Sequence, residues 1–265
     1  MATYSGSFPF TGKFGDIVAY KMQGSNKTII RAKSGIDKKR IARDPAFALT
    51  RMNNSEWTAA IKAGKAVNLA IADIKRLADH NYVPSLNGLM RRLMHEDTIN
   101  PLAKRSVLFS KAVNYLEGFS VNRYNNFDSI LRQPLAFEAD RDAGTATLHM
   151  PELIPGINLY NPKAERFYRF VCSLGVVADI VYHEQYKQYM PMVESMHYQG
   201  EAQSPWTFFE EDTPATTFNL ALANWTNPPG TSIILSAGIE FGKPGAGGMI
   251  NSVKYAGAGK ILKVI

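Results

Sequence analysis

The sequence predicts an α+β protein: an N-terminal β-hairpin and helical region followed by a C-terminal antiparallel β-sandwich or barrel. Three observations carry this. Residues 12–32 alternate with period 2 about a turn, residues 44–117 repeat apolar groups at helical spacing, and from Leu135 the period returns to 2 with Gly/Pro breaks between short apolar runs. The expected division is 1–124, a basic hairpin plus three-helix region, and 125–265, a sandwich-like β domain.

DIVAYKM at 16–22 alternates, QGSNK turns on Gly24 and Asn26, and TIIRA at 28–32 returns, with Phe8, Phe10 and Phe14 spaced to anchor the hairpin. A two-stranded ribbon is marginal alone, so it must lean on a helix, a sheet or another subunit. The segment 33–43 is the most basic in the chain. With Arg31 it offers Lys33, Lys38, Lys39, Arg40 and Arg43 against one acid, Asp37. Such a segment can track phosphates with salt-sensitive affinity, or serve as a solvated linker. No aromatic is interleaved to stack a base.

Asp44 in an N-cap position and Pro45 after it open a long helix reaching Asp79. Trp57, Gly64, Ile71 and Ala78 recur every seven residues, with Ala60, Ile61, Val67 and Ile74 between them. Gly64 costs about 1 kcal/mol of helix propensity, which suggests a close crossing by another backbone. Two shorter helices are expected after it. One carries Leu86, Leu89, Met90, Leu93 and Met94 on a stripe; the other runs from Asn100 to a stop at Gly118 with Leu102, Val107, Leu108, Val113 and Leu116. The β half then reads as PLAFEA–DRDAG–TATLHM, RFYRFVCSLGVVADIVYH, SPWTFFE, TTFNLAL, TSIILSAGIEF and a closing ILKVI. That last strand is expected to pair within its own sheet or with a neighbouring chain.

At 265 residues the chain can bury a full core without disulfide or metal, and its single cysteine excludes a disulfide framework. The start MATYSGSFPF lacks the features of a cleaved signal, and no run reaches the ~18 apolar residues of a membrane helix. The expectation is a protein of the cytoplasm, or of a particle assembled there, with no membrane partner. Residues 1–124 hold 20 Lys+Arg against 9 Asp+Glu, while 125–265 hold 10 against 14. The basic half suits a polyanion, an acidic protein surface, or the acidic half of another copy laid head to tail.

Motifs for chemistry do not assemble. GKPGAGG at 242–248 and AGAGK at 256–260 lack the pattern and the strand–helix setting of a phosphate loop. His183-Glu184 has Lys187 where a zinc protease needs its second histidine, which excludes that class. His80 and His95 read as helix-end groups, and His149, His183 and His197 as scattered strand residues. Cys172, in FVCSLGVV, reads as buried and inert. No catalytic residue, metal site or cofactor is expected. The stretch 182–198 is rich in large adaptable side chains, Tyr182, Tyr186, Tyr189, Met190, Met192, Met196 and Tyr198, and suits either a protein interface or the lid of the β domain.

TGKFGDIVAYKMQGSNKTIIRAK at 11–33, and SAGIEFG at 236–242 with a closing KILKVI, resemble the two ends of a family of uncharacterised Bacteroidota proteins. The likeness rests on Gly12, Lys13, Gly15, Tyr20 and Arg31, and on Gly238, Ile239, Glu240 and Phe241. It does not extend over 80–165, and the Gly-rich 242–259 departs from it. The resemblance implies an N-terminal Gly-Lys-x-Gly hairpin, a helical middle and a C-terminal β domain, and it transfers no activity. The expected function is therefore a non-enzymatic structural or assembly subunit of a virion, appendage or scaffold, a homo-oligomer or one subunit among others. The alternative is a sequence-independent nucleic-acid accessory protein.

Overall fold

Alternation in the first thirty residues builds more than a hairpin. Ala2–Tyr4 (β1), Gly12–Phe14 (β2), Ile17–Lys21 (β3) and Thr28–Ala32 (β4) form an antiparallel sheet of order β1-β4-β3-β2. The computed structural model describes residues 2–4 (main chain only), 10–21, 27–32, 36–194 and 198–265. Phe8, the turn residues Gly24 and Asn26, Lys33, Met196 and His197 lie outside these. Asp37 accepts from the Lys39 amide and starts Lys38–Arg43 (α1). Asp44 closes α1 and accepts from Ala46 N at 3.0 Å, opening a 3₁₀ turn, Pro45–Phe47, that leads into Ala48–Ala70 (α2).

The chain divides into two compact units, Met1–Arg51 and Met52–Ile265. The boundary expected at 124/125 thus runs inside one unit, because its helices and strands share a hydrophobic cluster joining Val67 and Leu86 to Val177, Ile234 and Ile261.

In the second unit α2 buries Ala59, Ala60, Ala63, Gly64, Val67 and Ala70, while Trp57 and Ile61 are exposed. The helix path turns at Ile71 and continues as Ala72–Lys75 (α3). The close crossing expected at Gly64 is present: a Cβ there would lie 2.1 Å from Asn87 Oδ1 of Val83–Met94 (α4). α4 buries Leu86, Met90, Leu93 and Met94, as its stripe predicts. The second of the two shorter helices does not form. Residues 100–117 hold only 3₁₀ turns at Phe109–Lys111 and Val113–Tyr115, because the segment is pinned from three sides. Glu56 accepts from Ala103 N, Asp97 from Ser106 N, and Val107 bridges Ile180 in both directions.

After a short helix, Phe127–Ile130 (α5), the strands follow: Ala136–Asp140 (β5), Thr145–Met150 (β6), Phe167–Ala178 (β7), Ile180–His183 (β8), Gln188–Pro191 (β9), Gln199–Gln203 (β10), Thr207–Phe208 (β11), Thr216–Ala221 (β12), Thr231–Pro244 (β13), Ile250–Ser252 (β14) and Ala258–Val264 (β15). β7 and β13 pair over twelve residues; β10 and β11 flank β7, and β14 and β15 flank β13. A second sheet, β12-β6-β5, stacks on one face, where Leu148 and Phe218 meet Phe170, Leu174, Leu235 and Ile239. The two sheets remain open, and no barrel closes.

The other face of β7 and β13 receives the helices, and each pair along it includes a small residue: Ser173 lies opposite Ser236, Gly175 opposite Ile234, and Val171 opposite Gly238. A Cβ on Gly175 would sit 2.1 Å from the Ala70 carbonyl oxygen, which is main chain and cannot swing away. Gly175→Ala is therefore expected to cost about 1–3 kcal/mol or more by lifting α2 from the sheet. Urea denaturation measures it; an unchanged midpoint would show that the helix yields freely.

β15 is tied on both edges. It pairs with β13 from Ile234↔Val264 to Ile239↔Ala258, and on its outer edge Gly118 and Val121 donate to Ile261 O and Gly259 O while Ile261 donates to Phe119 O. Of the two pairings expected for this strand, the one within the chain is formed.

Candidate functional site

Ten Lys and Arg against three acids lie in residues 1–51, and twenty of each in residues 52–265, so the first unit carries the entire +7. Among the described residues that unit buries only Ala19 and Ile29 of its large or small apolar side chains. Phe14, expected as an anchor, is 78% exposed and pairs across the Gly15-Asp16 turn with Ile17, itself exposed; Ile36 and Leu49 are exposed as well. Here basic charge and uncovered apolar surface share one small sheet-and-helix unit.

Arg31 extends from β4 over the Tyr20 ring, 5.4 Å from its centroid. Lys38, Lys39, Arg40 and Arg43 stand on α1 rather than in an irregular linker. Arg40 is engaged, pairing with Asp44 at 3.0 Å and lying over Phe47. Lys38, Lys39 and Arg43 make no ion pair among the described residues, so these are the charges open to a partner.

Within the 182–198 stretch, residues 182–191 belong to the β8–β9 hairpin, and most of the described large groups turn inward. Tyr182 and Tyr189 meet edge to face at 5.2 Å; the buried Tyr189 hydroxyl donates to Ala103 O at 2.7 Å, and Lys104 lies over Tyr182. Burial pushes the Tyr189 hydroxyl up to about 12. Met190 is half-buried, and Tyr198 packs edge to face on Trp225. Tyr186, beside His183, and Met192, against Gly230, are the exposed members, at opposite ends of the hairpin.

A polar cluster that sequence reasoning missed lies on the helix-facing side of the main sheet. Glu240, 1% exposed, is held by Arg76 of the α3 end and by Arg169 at 2.6 Å, whose guanidinium lies 4.5 Å from the Trp206 centroid. Beside it Ser173 and Ser236 share a hydrogen bond of 2.9 Å, Glu201 of β10 pairs with Ser173, and the Glu201 carboxylate and Ser173 act electrostatically on Asp73 of α3. Asp73 and Glu201 are 128 positions apart, so only the β10–β7 pairing brings them together. One available signal was the alternation in SAGIEF, which puts Glu240 on the same face as Ser236.

Burial, then the Glu201 carboxylate, raises the Asp73 pKa. With the folded value above the unfolded one, the stabilising protonated form is fully present below about pH 4 and is lost as pH rises through the folded pKa. Asp73→Asn is therefore expected to raise the melting temperature at pH 7 and leave it nearly unchanged at pH 3.5. A lower melting temperature at pH 7 would mean that Asp73 is ionised and needed so.

Burial also raises the Cys172 thiol to about 12, consistent with an inert core residue. His149 contacts Thr217 on the outer sheet, far in the topology from His183 at the end of β8. Among the described residues no three His, Cys, Asp or Glu side chains could hold a metal ion, and no helix is long and apolar enough to cross a membrane. A groove of about 390 Å³ opens between α2 and β7–β9, with Lys62 and Lys65 at its rim. Comparison of the chain with protein-family models, curated proteins and solved structures finds no match.

Proposed function

We propose that the protein is a non-enzymatic subunit of an assembly, whether virion, appendage or scaffold, joined to its neighbours through residues 1–51. One observation carries this reading: a unit that buries two apolar side chains among its described residues, leaves Phe14, Ile17, Ile36 and Leu49 exposed, and holds all the net charge. So small a core contributes little stability in isolation, and covering that surface with a partner supplies what is missing. Another copy of the chain is the simplest partner, giving a homo-oligomer. Light scattering at micromolar concentration tests it; a monodisperse monomer at every salt concentration and pH would overturn it.

The same charge supports a second reading, a sequence-independent nucleic-acid accessory protein using Arg31, Lys33, Lys38, Lys39, Arg40 and Arg43 on phosphates. Its binding would weaken with salt at a log–log slope of about 0.9 per phosphate neutralised. Binding indifferent to ionic strength would remove it.

A further inference from the structure

We infer that the groove between α2 and the β7–β9 strands binds an aliphatic carboxylate. Its floor is Ala66, Leu69, Val176 and Ile180, and Pro191 and Val193 form the facing wall. Gly175 lets α2 settle onto the sheet at Ala70, and beside that contact Ala66 and Leu69 of the same helix line the groove. A volume of about 390 Å³ lies within the range of small-molecule sites, which are mostly apolar with a few placed polar groups.

Those polar groups are cations at one rim. Lys62 reaches across from α2 and donates to Tyr189 O at 2.6 Å, which fixes its ammonium at the groove without neutralising it. Lys65, one turn further along, is exposed and makes no ion pair among the described residues. Glu194 is the one acid in the lining and is likewise unpaired among the described residues, so the lining carries a net charge of +1. An occupant complementary to this site has an apolar chain to cover Leu69, Val176 and Ile180 and a single negative charge to meet Lys62 and Lys65. A multiply charged phosphate lacks the chain and faces Glu194; a neutral alkane or alcohol leaves the ammonium groups unmet.

The inference stands apart from the assembly reading and uses none of residues 1–51. Sodium decanoate titrated calorimetrically into the full chain is expected to bind with one site per chain. Decanol should bind at least about tenfold more weakly, as should decanoate to Lys65→Ala, since a charge-assisted hydrogen bond contributes on that scale. Glu194→Gln should tighten decanoate binding, and Ala66→Trp, which fills the floor, should abolish it. Lys65 and Glu194 are exposed, so their variants keep the fold even if Ala66→Trp does not. Absence of decanoate binding, equal affinity for decanol, or indifference to Lys65→Ala would each overturn the assignment.

Discussion

On the assembly reading, replacing Phe14, Ile17 and Leu49 together with Ser, Thr and Gln is expected to leave a monomer at micromolar concentration without lowering the main melting transition. Phe14 is 78%, Ile17 43% and Leu49 60% exposed, and none of the three belongs to a buried core cluster, so the substitutions remove limited packing within the chain. A side chain of this kind contributes about 1.5–3 kcal/mol when fully buried, and three of them at one interface change affinity by several powers of ten. Neutralising Lys38, Lys39 and Arg43 should act differently, slowing association and flattening its salt dependence, because exposed charges contribute only ~0–1 kcal/mol each. Sedimentation velocity of the two variants separates the effects. Unimpaired association of the triple apolar variant would move the interface elsewhere and remove residues 1–51 from the proposal.

Arg105→Ala is the substitution expected to destabilise the second unit most. Glu56 lies on α2 with 1% exposure; Arg105 meets its carboxylate with two hydrogen bonds, Nε to Oε1 at 2.6 Å and an Nη to Oε2 at 2.7 Å, and Ala103 N adds a third. Removing the guanidinium strands a buried carboxylate, at a cost of about 3–5 kcal/mol. The same guanidinium also contacts His95 Nδ1, so the 95–105 segment loosens with it. Removing both charges, as Glu56→Leu with Arg105→Leu, should recover most of the loss, since the desolvation penalty disappears with the pair. Urea denaturation of the single and double variants gives the comparison. A single variant within 1 kcal/mol of the parent would show that water reaches Glu56.

The strands were legible where residues alternated, as in β6 and β12, or where a short β-branched or apolar run lay between breaks, as in β3, β4 and β13, and α4 was legible from Leu86 to Met94. β9 was not, because Tyr and Met dominate 182–198 and mask the period that turns Tyr189 inward and leaves Gln188 outside; β10, QGEAQ, carries no apolar run to mark it. The α2 stripe was displaced for a reason visible only across the interface. The facing strands present Ser173, Gly175, Ser236 and Gly238, so the helix comes closest by burying its alanines and leaves Trp57 outside. Residues 100–117 failed as a helix because their binding partners, Glu56, Asp97 and Ile180, lie elsewhere in the chain. The uncovered surface of residues 1–51 was legible as charge and as a hairpin needing support; which apolar groups stay outside depended on pairing Phe14 with Ile17 at the open end of the sheet.

The double pairing of β15 also orders events during synthesis. Residues 118–121 leave the ribosome well over a hundred residues before the strand they will cover, and β7 waits some fifty residues for β13. Until β15 is available, Ile74 of the helix layer and Val121 lack the Gly259 surface on which they pack, and the main sheet has an unpaired side. The local pairings of residues 1–51 need none of this. The strand pairings of that unit are therefore available while the larger unit is still being made.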